Sequence, residues 1–204
     1  MSTIAIIQCR LHSTRLPNKA LLQIPPESGV SMLEMVIRKV LLATMVDDVA
    51  VVTPDQKIAD LCTRWGIDAF MPTWEGRDVA REYYEAARQM GADVIVRITG
   101  DCPLVRPRII DSCIKAYGES DCDIAFNTDE STGQLEGEGS DVECFSYESL
   151  KQAYYHAEGE EREHVTQYIR KNMKTLFVPG SPLGIRSVNT KDDYDFVCDY
   201  IKNS

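Results

Sequence analysis

Arg10, His12, Arg15 and Lys19 place four cationic or titratable side chains within ten residues of a chain whose formal net charge is -10. Cations gathered against so acidic a background imply a local anionic partner. They follow the apolar run Ile4-Ala5-Ile6-Ile7. A short, largely β-branched run suits a strand buried on both faces of a parallel sheet, and the loop after it leaves the sheet at its carboxyl edge, where ligands of open α/β sheets bind. Pro17 and Asn18 favour an irregular turn, so backbone amides can point inward beside the charged groups, with the Ser13 hydroxyl as a further neutral donor. The loop reads as a cradle for a polyphosphate. A second concentration of chemistry is Asp101, in the segment RITGDCPLV, with glycine before it and proline two residues after. A carboxylate on a rigid turn at that edge is a candidate magnesium ligand, because magnesium takes one or two carboxylates together with substrate phosphates. The competing role is a helix cap.

The elements that would position these groups alternate. Ser31 is placed to cap a helix running to about Thr44, with Leu33, Val36, Ile37, Val40 and Leu41 on one face. Val49 to Val52 reads as a strand, Gln56 to Trp65 as a helix ended by Gly66, and Asp68 to Met71 as a short strand. Arg77 to Met90 reads as a helix stopped by Gly91, and Asp93 to Ile98 as the strand that delivers Asp101. Ile109 to Tyr117 follows as a helix and Asp123 to Phe126 as a strand. Residues 127–139, polar, acidic and glycine-rich, read as a surface excursion before a strand at Val142 to Phe145. Tyr147 to His156 and Glu161 to Lys171 look helical, Thr175 to Val178 and Ile185 to Val188 extended, and Asp192 to Ile201 helical. Strand-then-helix alternation implies right-handed crossovers and a mostly parallel sheet in an α/β domain, taken as one unit over 1–204.

Composition excludes several classes. A sequence pI near 4.8 argues against general nucleic-acid binding, which needs a basic face. With no apolar run of about 18 residues and no signal-like N-terminus, a membrane span or export is not expected. Seven cysteines form no CxxC pair and no zinc-ligand spacing, which fits free thiols in a reducing cytoplasm.

QCRLHSTRLPNKALL closely resembles the opening motif of cytidylyltransferases that activate acidic sugars, especially the branch of spore coat polysaccharide biosynthesis. YYEAARQMGADVIVRITGDCPLV, GSDVECFSYESL and EREHVTQYIR resemble later segments of that branch, in order, so the resemblance runs from Ile4 to about Ile201. It implies a Rossmann-like three-layer α/β/α nucleotide-diphospho-sugar transferase fold with a mostly parallel mixed sheet. It also implies CTP and magnesium as requirements, pyrophosphate as the released product and a small anionic acceptor. On that reading Arg10, Arg15, Lys19 and Ser13 hold the triphosphate, and Arg15, Lys19 and Asp101 are the catalytic set. Thr53 and Asp55, at a strand end, could define the cytosine or ribose pocket, although Thr-Pro-Asp is also an ordinary helix start. Asp141 and Glu143 alternate along one strand and so share a face. They could hold acceptor hydroxyls or assist the metal, or could form an exposed acidic face. Glu163, His164 and Tyr168 fall in a segment resembling the acceptor side, with His164 and Tyr168 on one face of the expected helix.

The chain departs from the family at the C-terminal metal position, where many relatives carry Val-Asp-Thr and this chain has Val188-Asn189-Thr190. Asn189 can coordinate through its amide oxygen but adds no charge; its other role is capping the last helix. His12 and Asn18 stand where relatives often have glycine. The wider superfamily also acts on phosphonates and sugar phosphates, which leaves the acceptor open. A catalytically weak nucleotide-binding protein is the alternative class. A glycosyltransferase would carry an Asp-x-Asp metal motif, found here only as Asp121-Cys122-Asp123, away from the expected strand exit. Relatives commonly dimerise, and residues 127–139 could reach a partner or cover the acceptor.

Overall fold

The computed structural model describes residues 1–74, 78–128, 141–179 and 187–203. Its strands are β1 (Thr3–Gln8), β2 (Asp48–Val52), β3 (Asp68–Phe70), β4 (Val94–Thr99), β5 (Ile124–Phe126), β6 (Val142–Ser146) and β7 (Thr175–Phe177). They form one sheet in the order β3-β2-β1-β4-β6-β5-β7. β1 pairs parallel with β2 and β4, β2 with β3, and β5 with β7, while β6 is antiparallel to both neighbours. The mostly parallel mixed sheet expected from the sequence is therefore present. Reversal at β6 has a consequence for the site. The N-terminal end of β6 lies where β4 ends, with Ile98 opposite Val142 and Arg97 opposite Glu143. Residues at the start of β6 thus arrive at the same edge as those leaving β1 and β4.

The helices are α1 (Met32–Val40), α2 (Gln56–Trp65), α3 (Val79–Met90), α4 (Pro107–Gly118), α5 (Tyr147–His156), α6 (Gln167–Asn172) and α7 (Lys191–Lys202). Alternation along β1 sorts them into two layers. Ala5 and Ile7 pack with Leu33 and Val36 of α1, Ile58 and Cys62 of α2 and Ile110 of α4. Ile4 and Ile6 pack on the opposite face with Tyr83 and Ala86 of α3, Leu150 and Ala153 of α5 and Ile169 of α6. Ile6 and Ile7 are fully buried, each worth roughly 1.5–3 kcal/mol relative to exposure. A third cluster, Ile24, Met32, Leu104, Val188, Tyr194 and Val197, fastens α7 over the segment after the basic loop, and the Tyr194 hydroxyl donates to the Gln23 carbonyl at 2.5 Å.

Local chemistry sets the helix ends. The Ser31 hydroxyl accepts from the Glu34 amide, as its position led one to expect, but α1 stops at Val40 and not near Thr44. There the Asp111 carboxylate captures the Thr44 and Met45 amides and diverts the chain. Gly66 and Gly91 end α2 and α3 in the left-handed conformation, at φ 71° and 63°. Asp78 caps α3 by accepting from the Arg81 amide; Arg77, expected to start that helix, lies outside the described residues. The helix expected over Glu161 to Lys171 is broken. A 3-10 turn covers Gly159–Arg162 and α6 begins only at Gln167, because Arg162 is pulled aside to Asp78, Tyr154 and Ala157. Ser187 and Val188 are not in a strand, and the Val188 amide donates to the Asp101 carbonyl at 2.8 Å; Ile185 and Arg186 fall outside the described residues, as do positions 129–139 of the excursion. Among the described residues no helix is long and apolar enough to cross a membrane.

Candidate active site

The loop after β1 is shaped by its own short bonds. Cys9 donates its amide to the Val52 carbonyl, Leu11 to the Asp55 carboxylate at 2.7 Å, and Asn18, left-handed at φ 56°, back to the Leu11 carbonyl at 3.1 Å. The Ser13 hydroxyl accepts from the Leu16 amide. Gly100 lets the β4 exit close on this loop: a Cβ there would meet Cys9 and the Gln8 carbonyl at 3.1 Å. Arg10, His12 and Arg15 stand exposed on a cavity of about 700 Å³ that Ser13, Lys19, Asp101 and Asn189 also line.

Lys19, Asp101 and Asn189 meet directly. The Lys19 ammonium donates to Asp101 Oδ2 at 2.7 Å, to the Val188 carbonyl at 2.8 Å and to Asn189 Oδ1 at 3.1 Å. Three oxygens from two segments of the chain thus converge on one positive charge. This donor set, one carboxylate and two neutral oxygens, also suits a hard divalent cation that completes its shell with water and phosphate. Among the described residues no group of three or more His, Cys, Asp or Glu could hold a metal unaided, so such an ion would depend on a ligand's oxygens. Asn189 does not cap α7; Thr190 does, in a reciprocal capping box with Asp193. Nor does Asp101 cap a helix: α4 starts after Arg106, with Pro107 in its first turn.

A second cavity of about 750 Å³ adjoins the first, and Arg97, Thr99 and His164 line both. Its floor is a buried charge cluster on β4 and β6. Glu143 is 5% exposed, which overturns the reading of an exposed acidic strand face. It pairs with Arg97 at 2.6 Å and Arg170 at 2.7 Å, and the Thr166 hydroxyl donates to both its oxygens. Burial pushes the Glu143 carboxyl up, but the two guanidinium groups and the hydroxyl outweigh it and hold the carboxyl below its ordinary value. Asp141, just before β6, is pushed the other way, to about 6: burial raises it, and the Thr128 hydroxyl, bonded at 2.7 Å, and Arg97 offset only part. Adjacent to both aspartates lies the buried Cys102 thiol, 3.8 Å from Asp101 and 3.6 Å from Asp141, which burial and these two charges keep protonated.

The residues expected at the acceptor side divide. Asp141, Glu143 and His164 line the second cavity, and Glu163 and His164 the first. His164 lies in the turn before α6, so it shares no helical face with Tyr168, which packs on the apolar core with its ring stacked near His156. Thr53 is fully buried and its hydroxyl accepts from the Asp55 amide, while Asp55 holds Leu11; these two brace the loop, and neither is among the residues lining the two cavities. Sequence reasoning passed over Arg97, Thr128, Thr166 and Arg170. For Arg97 a signal existed: a lone cation inside the apolar run Val94-Ile95-Val96-Arg97-Ile98, on a strand that must be buried on both faces.

A β1 exit loop rich in cations, facing an acidic turn at the end of a central parallel strand, has the layout of a nucleotide-dependent transferase. Solved structures agree at the level of fold. A CMP:2-keto-3-deoxy-manno-octonic acid synthetase solved with CTP superposes over the whole of this chain with a TM-score of 0.77 at 16% identity. A cytidylyltransferase from Leptospira borgpetersenii superposes with a TM-score of 0.86 at 25% identity, covering all of this chain and 88% of that one. The cytidylyltransferase family model matches residues 4–203, and the chain belongs to that family. Among curated relatives, an uncharacterized protein of Methanocaldococcus jannaschii is 33% identical over 177 residues, covering 84% of this chain and 68% of its own. A 3-deoxy-manno-octulosonate cytidylyltransferase from Desulfosudis oleivorans is 37% identical over 131 residues, covering 63% of this chain and 51% of its own. The chain thus spans about half the length of that enzyme.

Proposed function

We propose that the protein transfers the CMP group of CTP to a hydroxyl of an acidic sugar and releases pyrophosphate. The observation that carries this is the junction of the two cavities at Arg97, Thr99 and His164, one side lined by the basic loop and the other by hydroxyls and charged groups. The triphosphate lies against Arg10, Arg15, Lys19, Ser13 and the loop amides, which meet charge that grows on the α-phosphate and on departing pyrophosphate. The acceptor lies in the second cavity, and its hydroxyl oxygen attacks the α-phosphorus as the bond to the β-bridging oxygen breaks. Its proton passes to Asp141, whose pKa of about 6 leaves it ionised at neutral pH and close in basicity to its task. Magnesium, held by Asp101 and Asn189 together with nucleotide oxygens, would neutralise phosphate charge and fix the triphosphate's orientation. Lys19, bonded to those two oxygens, sets its ammonium beside the triphosphate. Similarity to 3-deoxy-manno-octulosonate cytidylyltransferases supports a sugar acid as acceptor.

Pyrophosphate release from CTP and magnesium, measured across sugar acids, sugar phosphates and phosphonates, tests the reading. Release is expected with sugar acids ahead of the other two. Release only with a phosphorylated acceptor would reassign the acceptor, and CTP binding without release in any case would mark a nucleotide-binding protein.

A further inference from the structure

Between α5 and α6 the chain runs from Ala157 to Thr166 with neither a strand nor an α-helix, yet it carries two residues of the site, Glu163 and His164. His164 stands at the meeting of the two cavities, because it lines both. The residue pattern of Glu161 to Lys171 favours one continuous helix. Such a helix would set His164 one turn before Tyr168 on the same face, and Tyr168 packs against the apolar core. A constraint must therefore keep His164 in the cavity wall and off that face. Arg162 supplies it. Its guanidinium donates from Nε and Nη2 to Asp78 Oδ2 at 2.9 and 2.6 Å, and from Nη1 to the Tyr154 and Ala157 carbonyls at 2.9 and 3.3 Å. It also lies over the Tyr154 ring, 5.4 Å from its centre. Asp78 is held in turn, since its other oxygen accepts from the Arg81 amide as the cap of α3. One side chain thus fastens the turn to α3 and α5, two residues ahead of His164. Beyond His164, Val165 is buried and the Thr166 hydroxyl donates to Glu143. His164 is bracketed by a clamp before it and an anchor after it.

We infer that Arg162 is a positioning residue for the transfer reaction: by clamping Asp78 and the end of α5 it fixes the turn that holds His164 at the meeting of the two cavities. The inference rests on the reading under Proposed function that nucleotide and acceptor meet there, and it adds what sets His164 in place. Neither Arg162 nor Asp78 is among the residues lining the two cavities, so their effect on the reaction passes through the turn. The competing role is a plain cap for α5, whose last carbonyls lack helical donors. Bonds to the Tyr154 and Ala157 carbonyls would suffice for that. The pair with Asp78, 84 residues away, adds nothing to the end of α5; it fixes the turn against α3. The arrangement also explains why arginine stands at this position. Four N–H bonds leave in separate directions from one plane, which a planar guanidinium matches and a single ammonium does not.

The test is a double-mutant cycle between Arg162→Gln and His164→Ala, read as kcat/KM by pyrophosphate release with the acceptor turned over fastest in the panel. Arg162→Gln alone is expected to lower kcat/KM by about 10²-fold, as misplacement from outside a site can, and no further than His164→Ala lowers it. In the His164→Ala background the same change should cost less than about twofold, because the residue it positions is gone. Arg162→Lys, which keeps the charge without the fork, should restore part of the loss. A second readout needs no acceptor. The imidazole C–H signal of His164, one of three histidines, is assigned in a ¹³C-labelled sample by its loss in His164→Ala, and it should shift or broaden in Arg162→Gln. Should Arg162→Gln fail to fold, Asp78→Asn takes its place in both readouts, since its amide oxygen still accepts from the Arg81 amide and the charged partner is lost. Losses that multiply in full across the cycle, or a His164 signal unmoved by the variant, overturn the assignment of Arg162 and leave the transfer reaction intact. A wild-type protein that turns over no acceptor overturns the reaction reading itself, and the positioning role with it.

Discussion

At the β1 exit, Arg10, Ser13, Arg15 and Lys19 come from a single loop, and both arginines are exposed; across the junction, Arg97, Glu143, Thr166 and Arg170 come from β4, β6 and the region of α6 and close on one another. Among the described residues the first wall is open charge, answered at Lys19 by Asp101 and Asn189. The second is charge answered almost completely, with a carboxylate 5% exposed between two guanidinium groups. An open wall can move onto a polyphosphate whose charge changes during reaction. A closed one is rigid and suited to discriminating a small molecule by shape and net charge. The two walls should therefore fail differently when cut, one losing rate and the other losing fold or selectivity.

Asp101→Asn should give the largest loss of rate. It removes the one carboxylate of the converging oxygen set, and turnover across a magnesium titration is expected to fall by about 10³-fold, with unfolding little changed because Asp101 keeps 24% of its side chain exposed. Near-native rates at moderate magnesium would remove Asp101 from the metal shell. Glu143→Gln probes the closed wall. It leaves Arg97 and Arg170 side by side without a counter-charge, at a cost of about 3–5 kcal/mol, which corresponds to a fall in Tm of roughly 10 °C or more for a chain of this size. A Tm shift of only a degree or two would show that the cluster is looser than its distances state.

Two carboxylates two residues apart offer a finer comparison, because their pKa values are driven apart. Asp141 is raised to about 6, so between the ordinary carboxylate range and pH 6 the folded protein holds a proton that the unfolded chain has released; its contribution to stability falls as pH rises through that window. Activity should run the opposite way, with kcat/KM rising as Asp141 ionises and an acid limb near pH 6 that disappears in Asp141→Asn. An unmoved limb in that variant would deny Asp141 the proton. Glu143 is depressed, so its stabilisation is present above the ordinary carboxylate range and lost only as pH falls below it. The smallest expected effect is at Asn189. Asn189→Asp adds charge beside Asp101 and should lower the magnesium concentration for half-maximal rate by about tenfold, an effect of about 1.4 kcal/mol; an unchanged titration would place Asn189 outside the shell.

How much of this the sequence disclosed follows from how local each wall is. The first wall lies within one loop and one turn, both at ends of apolar strands, so residue type and position sufficed to place Arg10, Arg15, Lys19 and Asp101 at one edge. The expected sheet, most helix ends and the glycine stops at Gly66 and Gly91 were legible for the same reason: each depends on periodicity or a nearby cap. The second wall depends on register. Glu143 meets Arg97 only because β6 is reversed between β4 and β5, and strand direction leaves no mark in a five-residue run such as Val142–Ser146. The turn that removes His164 from a helix is likewise set from a distance, by Arg162 reaching Asp78 across 84 residues. Thr53 and Asp55 show the same limit in reverse: their position at a strand end suggested a pocket, and only the Asp55 to Leu11 bond reveals a brace.

The central event of the proposed reaction is attack by an acceptor hydroxyl on the α-phosphorus at the meeting of the two walls. Following the reaction by phosphorus NMR with a sugar acid carrying ¹⁸O at its reacting hydroxyl tests this directly. The isotope should appear in the bridging oxygen of the CMP phosphodiester, shifting its resonance, while the pyrophosphate stays unlabelled. Label in the pyrophosphate, or a CMP product without it, would contradict attack by the acceptor hydroxyl at the α-phosphorus.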